Sequence, residues 1–234
     1  MTPMENLDRL FISASPQELL GRPLNEIEQK YAPPKLYISS QKGIPLPEPR
    51  VAIVGSRNAS PNGIGVAKEI ARFLTRNHAV IVSGLAKGID TIAHEAAIEE
   101  NGSTVAVLGT PLDKTYPAEN AFLQKKIMRD HWAISQFASG HPVQPKNFVI
   151  RNRTMALISD ASMIIEAGEK SGSLHQGWEA LRLGRPLFLS KEIMNNSSLN
   201  WPKEMIKYGA SELADFQEVI DVLPSSERML QIIR

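Results

Sequence analysis

The sequence predicts an α/β fold, a doubly wound and mostly parallel sheet with helices on both faces. Three observations carry this. Short β-branched runs alternate with helical patterns from Val51 onward, the order of elements that builds a parallel sheet. The strand candidates "VAIVGS", "AVIVSG", "TVAVLG", "SMIIEA" and "PLFLS" are nearly continuous apolar runs, as strands covered on both faces must be. Most of them also end in small residues, where a chain turns from strand into helix.

Taken in order, residues 1–49 read as an N-terminal arm and lead-in. They hold a short amphipathic piece, "MENLDRLFI", a second, "SPQELLGRPLNEIEQKY", and then "APPKLYISSQKGIPLPEPR", whose prolines break helices and favour extended chain. The domain proper is expected over residues 50–223. After the strand "VAIVGS" a helix is predicted from about Gly63 to Asn77, then "AVIVSG", a helix over Ile89 to Glu100, and "TVAVLG". A helix near Ala118 to Arg129, a strand at "WAISQF" and a helix over Arg151 to Ser159 follow. "SMIIEA", a helix around Leu174 to Leu183, "PLFLS" and a closing helix in "ADFQEVIDVL" complete the series. Residues 224–234 are a C-terminal tail.

The chain has 234 residues, 42% apolar and 22% charged, with a formal net charge of +1, enough to bury one proper core. No run reaches the roughly 18 apolar residues of a membrane span, and the N-terminus lacks the basic and apolar regions of a signal peptide, so a cytoplasmic protein without membrane attachment is expected. There are no cysteines and five scattered histidines. That composition excludes disulfides and thiolate chemistry and argues against a zinc enzyme. Any basic surface must be local, because the net charge is close to zero.

Ligands of a doubly wound sheet sit at the carboxyl ends of its strands. Four such ends carry suggestive residues: Gly55, Ser56 and Arg57; Ser83 and Gly84, with Lys87 and Asp90 beyond; Gly109 and Thr110; and Ser171, Gly172 and Ser173. Small residues let a ligand approach the backbone, and amides at helix N-termini favour anionic oxygens. A dinucleotide fingerprint is not met, because Gly55, Gly63 and Gly65 are wrongly spaced and no acid ends the second strand. No P-loop pattern occurs either. A second basic cluster, "PKNFVIRNRTMAL", places Lys146, Arg151 and Arg153 around Phe148. If Asn147 caps that helix, the two arginines point to different faces, one toward phosphate and one into the protein. Cations interleaved with an aromatic suit single-stranded nucleic acid, whose phosphates need neutralising and whose bases stack on rings.

"VAIVGSR", "VSGLAKGIDTIAH", "TVAVLGTPLDKTYPAEN", "FVIRNRTMALIS" and "EAGEKSGSL", with the lead-in "PPKLYISSQKG", occur in the order and spacing of one family over roughly residues 33 to 222. On these motifs the chain resembles the DNA-processing protein A (DprA/Smf) family. The resemblance implies an extended Rossmann-like domain that binds single-stranded DNA, forms homodimers and passes DNA to a RecA-type recombinase, in natural transformation or a related process. No cofactor and no catalysis are implied. The family's pocket corresponds to Gly55, Ser56, Arg57, Ser83, Gly84, Lys146, Phe148, Ser171, Gly172 and Ser173, with Asn152 and Arg153 shaping it. Asp90 and His94 match the family's "GID..AH" and read as a structural pair.

Ser135–Gln136, Leu174–Gln176 and "FLSKEIMNNSS" depart from the family pattern, which predicts an altered pocket rim. The small flanking regions predict a reduced or diverged member, compatible with a phage or defence role. A nucleotide- or signal-binding protein of the same superfamily is the alternative. A phosphoribohydrolase of the LOG type is weaker, because "EAGEKSGSLHQGWEA" lacks that enzyme's glycine pair and threonine, and Glu179 is out of register with its glutamate.

Overall fold

The computed structural model describes residues 11–224. Of the amphipathic piece "MENLDRLFI" only Phe11 and Ile12 fall among them, and of the tail only Pro224. The lead-in contributes β1 (Ile12–Ala14), α1 (Pro16–Leu20), α2 (Glu26–Tyr31) and β2 (Leu36–Ser39). Both helices begin in capping boxes, Ser15 with Glu18 and Asn25 with Glu28, which satisfy first-turn amides that no helical carbonyl can reach. Gly21 ends α1 at φ 66°, a left-handed conformation that glycine adopts without steric cost. The stretch "SPQELLGRPLNEIEQKY" is therefore two short helices.

From Arg50 the predicted alternation appears as β3 (Arg50–Val54), α3 (Pro61–Arg76), β4 (Val80–Ser83), α4 (Ile89–Glu99) and β5 (Thr104–Leu108). It continues with α5 (Ala121–Asp130), β6 (Trp132–Ser135), α6 (Pro145–Ile158), β7 (Ala161–Ile164), α7 (Ser173–Arg182) and β8 (Leu187–Leu189). Two helices without counterparts in the sequence reading, α8 (Lys191–Met194) and α9 (Trp201–Lys207), precede β9 (Ser211–Glu212) and the closing α10 (Gln217–Val222). The main departure is α6, which starts at Pro145 with Gln144 as its N-cap. Asn147 is not a cap: it is buried in the first turn and its Nδ2 donates to the Pro142 carbonyl at 2.9 Å.

These strands form one sheet in the order β1-β2-β6-β5-β4-β3-β7-β8-β9. β1 with β2 and β2 with β6 are antiparallel, and all other neighbours are parallel. Side chains alternate between the two faces of the sheet, and Ala106, Leu108 and Ala133 pack with Leu123 and Ile127 of α5 in a smaller third cluster. Val51, Ile53, Ile81 and Met163 face Ile70, Leu74 and Ala93 of α3 and α4, while Ala52, Val54, Val82 and Val107 face Met155 and Ile158 of α6. Leu19, Leu20, Leu36 and Ile38 of the lead-in join the second core. The fold is a Rossmann-like, mostly parallel sheet with helices on both faces. Its strand order reverses between β3 and β7, which opens a crevice at their carboxyl ends. Among the described residues no helix is long and apolar enough to cross a membrane.

Candidate nucleic-acid interface

At that reversal point lies a cleft of about 660 Å³. One wall is the turn after β3, Gly55 to Asn58, with Ala86 and Asp90 beyond β4 and Tyr116 beyond β5; the other is α6 together with the loop Gly168 to Ser173. Gly55 is obligatory, because a Cβ there would meet the Ile89 side chain of α4 at 2.5 Å. Arg57 projects from this turn, exposed, with its guanidinium carbon 5.9 Å from the Phe148 ring centroid. It has no ion pair among the described residues, and neither does the exposed Lys146 in the first turn of α6.

The loop after β7 is clipped to the turn after β3. Ser173 Oγ donates to the Gly55 carbonyl at 3.0 Å, Ser171 and Ser173 share a hydroxyl contact of 3.0 Å, and Asn152 Nδ2 donates to the Gly172 carbonyl at 3.0 Å. Gly55, Ser56, Arg57, Phe148, Arg151, Asn152, Ser171, Gly172 and Ser173 therefore converge on the cleft. Gly84 lines a smaller adjoining cavity of about 50 Å³.

The two arginines of "RNR" differ from the sequence expectation that one of them grips phosphate. Arg151 is buried at the cleft floor: its Nη1 donates to the carbonyls of Gly84 and Val107 and its Nε to Asn152 Oδ1 at 3.0 Å. Burial pushes its pKa down, partly offset by the charge of Asp90. Arg153 stands on the outside, its Nε donating to Glu179 Oε1 at 3.0 Å. Arg182 bonds the same carboxylate. Ser83 is also off the cleft, buried with its hydroxyl donating to the Ile53 carbonyl at 2.6 Å, where it ties β4 to β3.

Asp90 and His94 are both buried and serve separate ends. The Asp90 carboxylate accepts from the amides of Gly84 and Ala86 at 3.1 and 3.4 Å. Burial raises its pKa against the opposing charge of Arg151. His94 Nδ1 lies 2.6 Å from Thr104 Oγ1, which donates onward to the Ile81 carbonyl at 2.7 Å, so the proton belongs on Nδ1. Burial, with the nearby charges of His131 and Arg151, lowers the His94 pKa to about 3.

Sequence reasoning missed two residues of consequence. Tyr116 lines the cleft with its ring centroid 5.0 Å from that of Phe148; its motif "TYPAEN" was legible, its proximity to α6 was not. Glu166, at the end of β7, accepts from the Ser60 amide at 3.0 Å and hydroxyl at 2.6 Å and packs against Gly63. Its carboxylate thus occupies the N-terminus of α3, where a dinucleotide site would seat its pyrophosphate. None of the positions that depart from the family pattern, Ser135–Gln136, Leu174–Gln176 and "FLSKEIMNNSS", lines the cleft, contrary to the altered rim expected of them, and Ser135, Gln136 and Gln176 make internal hydrogen bonds to Thr110, Thr154 and Ser162.

The family model described as DNA recombination-mediator protein A matches residues 16–224. The DNA processing protein DprA of Streptococcus pneumoniae is 38% identical over 172 residues, covering 74% of this chain and 61% of that relative. The chain therefore spans about three-fifths of that relative's length. An X-ray structure of the S. pneumoniae protein superposes with a TM-score of 0.79 at 31% identity over 96% of this chain and 79% of that one. DNA processing protein A from Helicobacter pylori, described with a single-stranded DNA binding mode, superposes with a TM-score of 0.74 at 28% identity over 90% of this chain and 94% of that one. The matched span takes in every segment that walls the cleft, and the chain belongs to the DNA recombination-mediator protein A family.

Proposed function

We propose that the cleft binds single-stranded DNA and that the chain handles DNA for recombination as a binding protein rather than an enzyme. The observation that carries this is Arg57, a cleft-lining cation with no ion pair among the described residues, beside the Phe148 ring at the reversal point of the sheet, while Lys146, likewise without an ion pair there, stands exposed in the first turn of the same helix as Phe148. Cations neutralise backbone phosphate and a ring accepts a base, the combination that single strands need. Gly55, Ser56 and the serines at 171 and 173 bring backbone and hydroxyl groups to the same opening. Arg151 and Asn152 shape its floor, and Ser83 and Arg153 support it from outside. The single-stranded DNA binding described for the H. pylori relative supports the same reading.

The alternative ligands fit less well. Glu166 fills the helix N-terminus that a nucleotide's phosphates would use. Glu179, the acid nearest in sequence to that of a phosphoribohydrolase, is held by Arg153 and Arg182 away from the cleft, whereas glycosidic chemistry needs a carboxylate against the sugar. A cytoplasmic homodimer that delivers DNA to a RecA-type recombinase completes the proposal.

Fluorescence anisotropy of a labelled single strand across a salt series tests it. Arg57→Ala and Lys146→Ala should each flatten the slope of log affinity against log salt by about 0.7, and Phe148→Ala should cost roughly 1–3 kcal/mol. Slopes and affinities unchanged in all three variants, or displacement of the strand by AMP, would reject it.

A further inference from the structure

We infer that Tyr116 is a base-stacking residue of the cleft, the outer ring of a two-ring platform it forms with Phe148, and that its ligand is an unpaired nucleobase. This deepens the proposed single-stranded DNA reading and rests on it. Phe148 offers little free ring surface. The Gly109 backbone lies against it so closely that a Cβ there would come within 2.5 Å of Cδ1, the Arg57 guanidinium sits 5.9 Å from its centroid, and Tyr116 tilts over it at 48°. Tyr116, by contrast, is 48% exposed, and its hydroxyl has no hydrogen-bond partner among the described residues. A base entering the cleft along this side meets Tyr116 before it meets Phe148.

The backbone behind Tyr116 is fixed although its ring is open. Asn120 Nδ2 donates to the Leu85 carbonyl and to Thr91 Oγ1, both at 2.9 Å, and Lys87 pairs with Glu119 at 2.6 Å. An aromatic with two rotatable bonds on an anchored loop offers contact area at small entropic cost. Tyr116 and Phe148 also line both the main cleft and the small cavity of about 50 Å³ beside it.

The test compares oligothymidine with an abasic strand of equal length, using the full chain. Tyr116→Ala should weaken oligothymidine binding about 5- to 150-fold and leave abasic affinity and the salt slope unchanged, while Tyr116→Phe retains wild-type affinity. Phe122→Ala is the control, since Phe122 is 81% exposed and outside the cleft. Photocrosslinking of wild-type protein to an iodouracil-containing strand should map to Tyr116, a readout independent of how the variants fold. Undiminished oligothymidine binding by Tyr116→Ala, equal losses on both strands, or a crosslink that maps elsewhere would overturn the inference. A wild-type chain that binds neither strand would instead reject the single-stranded DNA reading beneath it.

Discussion

At position 109 a side chain would occupy the space that the Phe148 ring fills. The ring has no easy retreat, because Tyr116 and Arg57 lie against it on the cleft side. Gly109→Ala is therefore expected to cost about 1–3 kcal/mol of stability, the usual range for overpacking. It should also weaken single-strand binding without changing the salt slope, since no cation is lost; urea unfolding and anisotropy on the same preparation check both. Arg57 was legible in the sequence because a cation beside a glycine turn at a strand end has few structural uses. Arg151 was also singled out, but its role at the cleft floor was not legible, because only the folded sheet reveals the Gly84 and Val107 carbonyls that engage it. The partner of Arg153, Glu179, stands on the next helix, 26 residues away, beyond any local pattern.

Among the elements, α3 is held at its start by a residue from the far side of the strand reversal. Ser60 caps it by accepting from the Gly63 amide at 3.0 Å, and Glu166 reaches across from β7 to hold both the hydroxyl and the amide of Ser60. Ser60→Ala should destabilise the chain by about 0.5–2 kcal/mol, read as a lower urea midpoint at constant m-value, with strand affinity intact because no phosphate contact is removed. The long helices were legible from their apolar period. The start of α6 was misjudged, because asparagine is a common N-cap and Asn147 competed with the better signal, a proline fit for the first helical position at Pro145. Gly21 divides α1 from α2 for a reason that was visible, namely that glycine alone turns left-handed cheaply.

Across the whole molecule, Glu28 fastens the lead-in to the far side of the sheet. Its buried carboxylate meets Arg22 at 2.7 Å and Arg185 at 2.6 Å, while Arg185 and Arg50 both approach Asp160. Burial alone would raise the Glu28 pKa, but the Arg22 hydrogen bond, the Asn25 amide and the two arginine charges hold it below 4.5. Its stabilising contribution is thus complete above the unfolded value and is lost as pH falls through the lower folded one. Glu28→Gln should cost on the order of 3 kcal/mol at neutral pH, because two partly buried arginines lose their counterion, and should flatten the acid side of the stability curve; urea midpoints between pH 3 and 7 for both proteins decide it. The parallel sheet itself was legible in the alternation of strands and helices. The edge strands β1 and β9, and β2 beside β1, were not, being two to four residues long and defined by pairing with distant partners rather than by their own period.

The hydroxyl clip from Ser173 to Gly55 joins two segments 118 residues apart. A ribosome working at about 5–20 residues per second makes the first of them roughly 6 to 24 seconds before the second. Throughout that interval the turn bearing Arg57 can be in place while its facing wall does not yet exist. The cleft is a late product of synthesis, completed when β7 and α7 dock, and a ligand that needs both walls will recognise finished molecules and pass over nascent ones.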